Sequence, residues 1–297
     1  MQCNTNNCCA GRYGKCLDVK IIDDCNGKCA FCIERGANRT VPAKVGDMII
    51  STNIMLQSGY ENVLILGGEP FLYSHLVEYI YGIKAPNIFI TTNGSTIDMA
   101  IFAKIAQKLS GINFSIHHYD EVTNQRIVGT RIGFNNIKNA ITLLKIMNPK
   151  INVRINCNLV VGGIDSSEAA VKMIEQAINF GANEIRFAEL QLPEKMNKLF
   201  VDAKNIFAGA NLPDQPFIFG CEHVIEDTVG IKVLVRQVCG IVNPIKPEVI
   251  KPKGRKSATK VLYPDAKVNE GWRDVKGVDH SSGCHNMGGS GGCHARG

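Results

Sequence analysis

Short apolar segments alternate with longer amphipathic segments from residue 17 to about residue 190. The apolar segments predict strands at 17–22, 62–66, 87–92, 112–116, 151–160 and 183–190. The amphipathic segments predict helices at 43–58, 72–81, 96–109, 133–147 and 166–180. This order indicates six βα units, and therefore a parallel sheet covered by helices. Right-handed crossovers permit a partial barrel or an open sheet, and periodicity does not choose between them.

The pattern changes after about residue 215. Short β segments occur in IKVLVRQV, TKVLYP and KVNEGW, and YPDA between the last two predicts a hairpin turn. The final stretch is rich in Gly, Cys and His, which is typical of a free tail. We therefore predict a Cys-rich extension at 1–16, a βα domain at 17–195 and a small domain at 215–297.

Strand alternation divides the fourth and fifth strands into a polar and an apolar face. The polar positions are Asn113, Ser115, His117, Arg154, Asn156 and Asn158. Cys157 falls on the apolar face, so we expect a core residue there. The polar face is expected to line a cavity, where His117 and His118 have either a substrate contact or a structural hydrogen bond.

Composition indicates a globular protein of 297 residues, 45% hydrophobic and 20% charged. No apolar run is long enough to span a bilayer, and the polar N-terminus has no signal-peptide core. We therefore expect a cytoplasmic protein without membrane contact. In that reducing compartment twelve cysteines indicate metal binding more than disulfides.

The net charge of +6 is concentrated in one stretch, residues 246–260, with six Lys or Arg and one Glu. A solvated loop is the favoured interpretation. The alternative is a docking surface for an anionic substrate or for nucleic acid.

Three cysteines in CNGKCAFC follow the first predicted strand, at Cys25, Cys29 and Cys32. A structural zinc site prefers four ligands in two close pairs. Three thiolates on one loop instead suit a [4Fe–4S] cluster that keeps one open corner for chemistry. The loop also lies at the carboxyl end of a strand, where α/β folds place their active sites.

The segment GGEP, residues 67–70, directly follows the second predicted strand. Gly67 and Gly68 let the backbone approach a ligand without a Cβ atom in the way. Glu69 can accept hydrogen bonds from an ammonium group. An ordinary turn is the weaker interpretation, because this segment comes one βα unit after the cysteine loop.

On these two motifs the sequence resembles the radical S-adenosylmethionine (SAM) superfamily. The resemblance implies a partial (β/α)6 barrel and a [4Fe–4S] cluster on the three cysteines, with SAM on its fourth iron. It also implies reductive cleavage of SAM to a 5′-deoxyadenosyl radical, with an electron donor such as flavodoxin or ferredoxin. The residues that it implies for SAM binding are Phe31, Gly67, Gly68, Glu69, Ser115 and Gln191.

Within this superfamily, TTNG (91–94), VRINCNLVVGG and IRFAEL resemble the branch of the molybdenum-cofactor GTP 3′,8-cyclase. Two departures count against GTP cyclisation. Leu64 stands where that enzyme carries an arginine for its nucleotide, and there is no CxxC after residue 32. The substrate is therefore expected to be a small molecule, a nucleotide or a peptide, and the substrate-contacting candidates are Thr92, Asn93, His117 and Arg154.

The last third resembles a twitch domain, a small β-hairpin domain that holds a second [4Fe–4S] cluster. The resemblance assigns its ligands to Cys221, Cys239, Cys284 and Cys293, with His285 or His294 as substitutes for the last. The competing site is the N-terminal group Cys3, Cys8 and Cys16.

Three functions follow from these observations. The leading one is a radical SAM enzyme acting on a small molecule, nucleotide or peptide. A radical SAM enzyme that modifies RNA would join the motifs to the basic stretch. The third is a non-catalytic iron–sulfur or zinc protein that binds nucleic acid, against which the GGEP segment counts because a binding module needs no SAM site.

Overall fold

The structure is a computed structural model that describes residues 15–32, 34, 39–190, 198–210, 212, 222–226, 230–237 and 260–270. Six parallel strands form its centre. They are β1 (Cys16–Lys20), β2 (Asn62–Leu66), β3 (Asn87–Thr92), β4 (Gly111–Ser115), β5 (Asn152–Asn158) and β6 (Glu184–Ala188). The six strands that the apolar pattern predicted are therefore confirmed, with small shifts at their ends.

Helices cover one face of this sheet. They are α1 (Val45–Gln57), α2 (Leu76–Gly82), α3 (Met99–Ile105), α4 (Glu121–Val128), α5 (Phe134–Met147), α6 (Ser167–Phe180) and α7 (Ala203–Ile206). Helix α2 begins four residues later than the predicted 72–81, after a 3₁₀ turn at Pro70–Leu72. Helix α4 was not predicted. Its polar sequence has only a weak apolar stripe, yet Asp120 caps its start and Gly129, with a φ of 70°, ends it.

Helix α6 illustrates how the sequence builds the outer layer. The Ser166 hydroxyl accepts a hydrogen bond from the Ala169 amide at 3.2 Å, which caps the helix. Gly181, with a φ of 82°, ends it. Its buried side chains recur every three or four residues: Ala170, Met173, Ala177 and Phe180. Full burial of one large apolar side chain of this kind stabilises the fold by roughly 1.5–3 kcal/mol.

The C-terminal strands extend both edges of the sheet. They are β7 (Glu222–Glu226), β8 (Lys232–Arg236), β9 (Lys260–Leu262) and β10 (Val268–Glu270). Strand β8 pairs in parallel with β6 and forms an antiparallel hairpin with β7. Strand β9 pairs in parallel with β1, on the opposite side, and forms a second hairpin with β10. The described sheet thus has the order β10-β9-β1-β2-β3-β4-β5-β6-β8-β7.

The predicted YPDA turn joins β9 to β10. The Tyr263 amide donates a hydrogen bond to the Lys267 carbonyl at 3.0 Å, and Ala266 takes a left-handed φ of 59°. Both hairpins of the described C-terminal region therefore belong to the sheet of the βα units. A separate iron–sulfur domain at 215–297 stays a prediction, because most of that range lies outside the described residues.

The face of the sheet under the helices carries the main core. Strand residues such as Val19, Ile65, Ile90 and Phe114 are buried there against the helices. Cys157 is completely buried in this core, as its strand alternation predicted, and burial raises the pKa of its thiol. Within the described residues, no helix is long and apolar enough to cross a membrane.

The opposite, inner face of the sheet divides into two regions. One region, the apolar half, packs together side chains of β1, β2, β3 and β9. Its members are Cys16, Leu64, Leu66, Phe89, Val261 and Tyr263. The other region, the charged half, lies on β5, β6, β7 and β8, and its members are Arg154, Glu184, Arg186, Glu222 and Arg236.

The sheet curls so that its two sides face each other. Burial raises the pKa of the Asp18 carboxyl on β1 well above its usual range, and the Arg236 guanidinium on β8 opposes this shift. Five strands separate β1 from β8 in the sheet. A charge interaction between them requires curvature, which favours the partial barrel over the open sheet.

Candidate active site

The cysteine loop directly follows β1 at the carboxyl edge of the sheet. Cys25 and Cys32 are exposed and Cys29 is half-buried. The Lys28 amide donates to the Val128 carbonyl at 2.7 Å, and the Cys32 amide donates to the Cys29 carbonyl at 3.2 Å. These bonds hold the loop against the end of α4 and leave two thiols open to a ligand.

The donor set of the loop fits a cluster better than a single metal ion. Among the described residues, no three His, Cys, Asp or Glu side chains lie close enough to hold one ion. A [4Fe–4S] cluster does not require three side chains to meet at one ion, because each thiolate binds a different iron. The Gly27 amide donates to the Cys25 sulfur at 3.3 Å. Burial raises the pKa of the Cys25 thiol, and this amide opposes the shift by stabilising the thiolate that iron requires.

Asn26 ties the loop to the end of β3, a role that sequence reasoning missed. The Asn26 side-chain amide donates to the Ser95 hydroxyl at 2.7 Å. The Asn26 side-chain oxygen accepts a hydrogen bond from the side-chain amide of Asn93 at 3.0 Å. The same Asn93 Nδ2 lies 4.0 Å from the Cys25 sulfur. The predicted substrate contact of Asn93 stays a prediction, whereas its contacts in the structure join the cysteine loop to β3.

Gly67 and Gly68 allow two backbone segments of the chain to approach each other. A Cβ atom on Gly68 would lie 1.9 Å from the Asp24 carbonyl oxygen, and one on Gly67 would lie 2.5 Å from that of Ile22. In this approach the Gly68 amide donates to Ile22 and the Glu69 amide donates to Asp24, both at 2.8 Å. This close approach is sufficient to require glycine at both positions. The contact of Gly67 and Gly68 with SAM stays a prediction.

Glu69 is the best-fixed side chain of the site. It is fully buried, and its carboxylate accepts hydrogen bonds from the Thr92 hydroxyl at 2.7 Å, the Asn93 amide at 2.7 Å and the Phe71 amide at 3.1 Å. Burial raises its pKa, and the three donors oppose this shift. A carboxylate has about four acceptor positions, so one remains for the predicted ammonium group.

Thr92 belongs to this arrangement. Its hydroxyl donates to Glu69 and accepts from the Gly94 amide at 3.0 Å. Thr92 is buried, and both of its hydrogen-bonding directions are used within the protein. Its described role is to orient Glu69, and a contact with substrate stays a prediction.

Phe31 and His117 meet at the ends of β4 and β5. Their rings lie edge to face with centroids 5.0 Å apart. The His117 Nδ1 accepts a hydrogen bond from the Asn158 amide at 3.1 Å, so its proton is on Nε2. Burial lowers the pKa of His117 to about 4, which keeps the ring neutral near pH 7. His118 is similarly engaged, since its Nδ1 accepts from the Asp120 amide at 2.9 Å.

Ser115 ends β4, half-buried, and pairs in register with Asn156 on β5. Arg154 lies deeper in the barrel. Its Nε donates to the Glu184 carboxylate at 2.7 Å, and its Nη2 lies 3.8 Å from Glu222. The sequence did not predict these two acidic partners, because they come from strands far apart in the chain.

Several predicted ligands lie outside the described residues. They are Gln191, Cys221, Cys239, Cys284, Cys293, Cys3 and Cys8. Cys16, from the competing N-terminal group, is described. It is buried in β1 within the apolar half, with its sulfur 4.0 Å from the Asp18 carboxylate.

Comparison with known proteins agrees with this geometry. The sequence model of the radical SAM superfamily matches residues 19–185, which is more than half of the chain. A probable GTP 3′,8-cyclase of Saccharolobus solfataricus is 31% identical over 202 residues, which cover 63% of this chain and 61% of that protein. The GTP 3′,8-cyclase of Chlorobaculum tepidum is 26% identical over 188 residues, covering 61% and 56%.

Among solved structures, Streptococcus suis SuiB shares the fold with a TM-score of 0.55 at 16% identity, over 86% of this chain and 60% of that one. The chain thus spans about three fifths of the length of these proteins. The resemblance to the cyclase branch and the α/β barrel fold, both predicted from the sequence, are confirmed. With its cysteine loop after β1 and its buried Glu69 beside it, the chain belongs to the radical SAM superfamily.

Proposed function

We propose that this protein is an enzyme that cleaves SAM reductively and abstracts a hydrogen atom from a small-molecule, nucleotide or peptide substrate. The observation that carries the proposal is the link between the two motifs. The backbone of Asn93 donates to Glu69, while its side chain contacts Asn26 and the Cys25 sulfur. One residue therefore fixes the loop for the cluster relative to the carboxylate for SAM.

Each group has a separate task in this proposal. Cys25, Cys29 and Cys32 hold a [4Fe–4S] cluster, which when bound supplies the electron that cleaves SAM to the 5′-deoxyadenosyl radical. Glu69 binds the SAM ammonium with its remaining acceptor position. Phe31 would pack beside the adenine of SAM, and its edge-to-face contact with His117 keeps the Phe31 ring in place. The buried apolar contacts of Phe31 with Val160 and Leu190 exclude water from this side.

The substrate is the less constrained part of the proposal. The relatives named GTP 3′,8-cyclase support a nucleotide. Leu64 argues against the same nucleotide contacts, because it is buried in the apolar half and has no group that can bind phosphate. We further propose that flavodoxin or ferredoxin donates the electron, and that Cys221, Cys239, Cys284 and Cys293 hold a second [4Fe–4S] cluster.

Iron and sulfide analysis with Mössbauer spectra, on anaerobically reconstituted protein, tests the clusters. About eight irons in the wild type and about four in the Cys25/Cys29/Cys32→Ala variant are expected for two cubane clusters. About four irons in the wild type and none in the variant would remove the second cluster from the proposal.

Chromatography of 5′-deoxyadenosine after addition of dithionite and SAM tests the chemistry. The wild type is expected to form it, and the triple variant to form none. Glu69→Gln is the matched control for SAM binding, because it should keep the full iron content and bind SAM more weakly. Wild-type protein with a full cluster that leaves SAM intact would contradict the proposed function.

A further inference from the structure

Two ion pairs meet at the base of the cysteine loop. The Nζ atom of Lys20, the last residue of β1, lies 2.8 Å from the Asp23 carboxylate and also contacts the Glu34 carboxylate. Asp23 comes two residues before Cys25 in the chain. Glu34 comes two residues after Cys32. One ammonium group therefore contacts both ends of the segment that carries the three cysteines.

These contacts are largely shielded from water. The side chains of Lys20, Asp23 and Glu34 are 5%, 11% and 13% exposed. The other carboxylate oxygen of Asp23 accepts hydrogen bonds from the Thr40 amide at 2.6 Å and from the Thr40 hydroxyl at 2.8 Å. Charges that little water screens interact strongly. The Lys20 contacts are therefore well placed to hold the two ends of the loop at a fixed distance.

A second ion pair joins the same two stretches of chain, but in solvent. The Arg39 Nη1 lies 2.6 Å from the Asp24 carboxylate, and these side chains are 75% and 59% exposed. An exposed ion pair adds little to stability, because water and salt screen it. The Asp24–Arg39 pair therefore provides an internal comparison for the buried contacts of Lys20.

The hairpin of β9 and β10 approaches Lys20 from the inner face of the sheet. The Lys20 Nζ lies 5.9 Å from the centroid of the Tyr263 ring, which is within the range of a cation–π contact. Tyr263 directly follows β9, which pairs in parallel with β1. The same hairpin also holds the chain beyond the loop, because the Ala43 amide donates to the Pro264 carbonyl at 2.8 Å.

Loss of the Lys20 charge would disturb the loop at both ends. The Asp23 and Glu34 carboxylates lie close together, since both contact the same nitrogen atom. Like charges in a poorly solvated site repel each other. Residues that orient the ligands of a metal centre affect how firmly it is bound, although they do not bind the metal themselves.

We propose that Lys20 is a positioning residue, which sets the distance between the ends of the cysteine loop so that the three thiolates retain an iron–sulfur cluster. It acts through Asp23 and Glu34 and not by binding iron. This inference rests on the proposed function and adds to it a residue that lies in neither of the two motifs.

Loss of the cluster to a chelator tests the proposal. The reconstituted full chain is mixed anaerobically with excess EDTA well below its melting temperature, and the visible absorbance of the cluster is followed. The phase that is absent from the Cys25/Cys29/Cys32→Ala variant belongs to the cluster on this loop. We expect Lys20→Met to lose this phase at least about tenfold faster than the wild type. Arg39→Gln, the exposed counterpart, should change the rate by less than about twofold.

Leu144→Ala is the control for a general loss of stability. Leu144 is completely buried in α5, outside the loop and its described contacts. Its removal should lower the melting temperature, while the rate of cluster loss stays within about twofold of the wild type. If Lys20 contributed only to overall stability, Leu144→Ala would lose the cluster as fast as Lys20→Met at an equal drop in melting temperature.

Two results would overturn the proposal. One is an acceleration by Lys20→Met of less than about tenfold, and the other is an equally fast loss from Leu144→Ala. If Lys20→Met does not fold, Glu34→Gln takes its place, because it frees one end of the loop and leaves Lys20 paired with Asp23. Glu34→Gln must then lose the cluster at least about threefold faster than Arg39→Gln, and a smaller difference overturns the proposal.

The iron content of the starting samples separates this proposal from the proposed function. If the wild type holds a cluster that the triple variant lacks, and Lys20→Met retains it as firmly, the positioning role is wrong and the proposed function stands. If the wild type and the triple variant bind the same amount of iron, the cluster of the proposed function itself fails.

Discussion

The two halves of the barrel interior are buried to a similar degree by different means. Leu64 in the apolar half is 2% exposed, and Arg186 in the charged half is 5% exposed. The apolar half is stabilised by contacts that have no direction and tolerate small changes of shape. In the charged half, a buried charge that loses its partner destabilises the fold strongly. The same sheet therefore contains one region that tolerates substitution by similar residues and one that depends on matched pairs.

The largest effect is expected from breaking a pair in the charged half. Glu184→Leu would leave the Arg154 guanidinium buried without its main carboxylate. A buried charge that loses its partner destabilises a protein by about 3–5 kcal/mol. Urea denaturation of the variant and the wild type at pH 7 measures this difference.

The double variant Arg154→Met/Glu184→Leu is the control for this prediction. It removes both charges and keeps a similar volume, so most of the lost stability should return. If the double variant is as unstable as the single one, the loss comes from shape and not from charge.

A cavity in the apolar half should have the next largest effect. Leu64→Ala removes a buried side chain that contacts the cluster around Tyr263, and such changes destabilise by about 2–5 kcal/mol. Leu64→Met, which nearly conserves volume, should destabilise by less than about 1.5 kcal/mol. Equal losses in the two variants, measured by urea denaturation, would show that this half does not tolerate similar residues.

His117 differs from the residues of both halves, because it is buried and polar but has no carboxylate partner among its described contacts. Its pKa is about 4 in the folded protein, below the unfolded value near 6.5. Between these values the unfolded chain binds the proton and the folded chain does not, so stability falls as the pH drops from 6.5 toward 4. About 2 kcal/mol should be lost between pH 7.5 and pH 5.

His117→Gln is the matched control, because glutamine does not titrate. Denaturation at pH 7.5 and at pH 5 should show that the variant loses about 2 kcal/mol less than the wild type over this range. A variant with the same pH dependence as the wild type would show that other groups are responsible.

The smallest effect is expected at the border between the halves. The Asn113 side-chain amide on β4 donates to the Thr91 hydroxyl on β3 at 3.0 Å. Thr91→Val keeps the shape and removes the acceptor, so we expect a loss of about 1 kcal/mol. Urea denaturation of the variant and the wild type measures this loss, and an unchanged stability would show that the Asn113–Thr91 bond does not stabilise the fold.

Local patterns predicted the strands and most helices correctly, because each depends on residues close together in the chain. The same holds for Cys157, whose burial follows from alternation alone. Helix α4 was missed because a short polar helix depends on its capping residues more than on an apolar stripe. The sequence did not predict that the C-terminal hairpins pair with the two edges of the sheet, because no local pattern encodes pairing between distant strands.

In the candidate site too, features that depend on residues close together in the chain were predicted, and features that depend on distant residues were not. The position of the cysteine loop beside Glu69 followed from the order of the motifs. The partners of Arg154 and the role of Asn26 did not, since they depend on side chains brought together from other elements. The backbone approach that requires Gly68 was likewise visible only in three dimensions.

Because β1 lies between β2 and β9, its two neighbouring strands are translated at very different times. The ribosome releases β1 and its cysteine loop early, and β2 soon afterwards. The other neighbour of β1 does not exist until residues 260–262 have been translated. Strand β1, which precedes the cysteine loop, therefore keeps one edge unpaired through most of synthesis, and only a nascent chain that has reached β9 can pair with it.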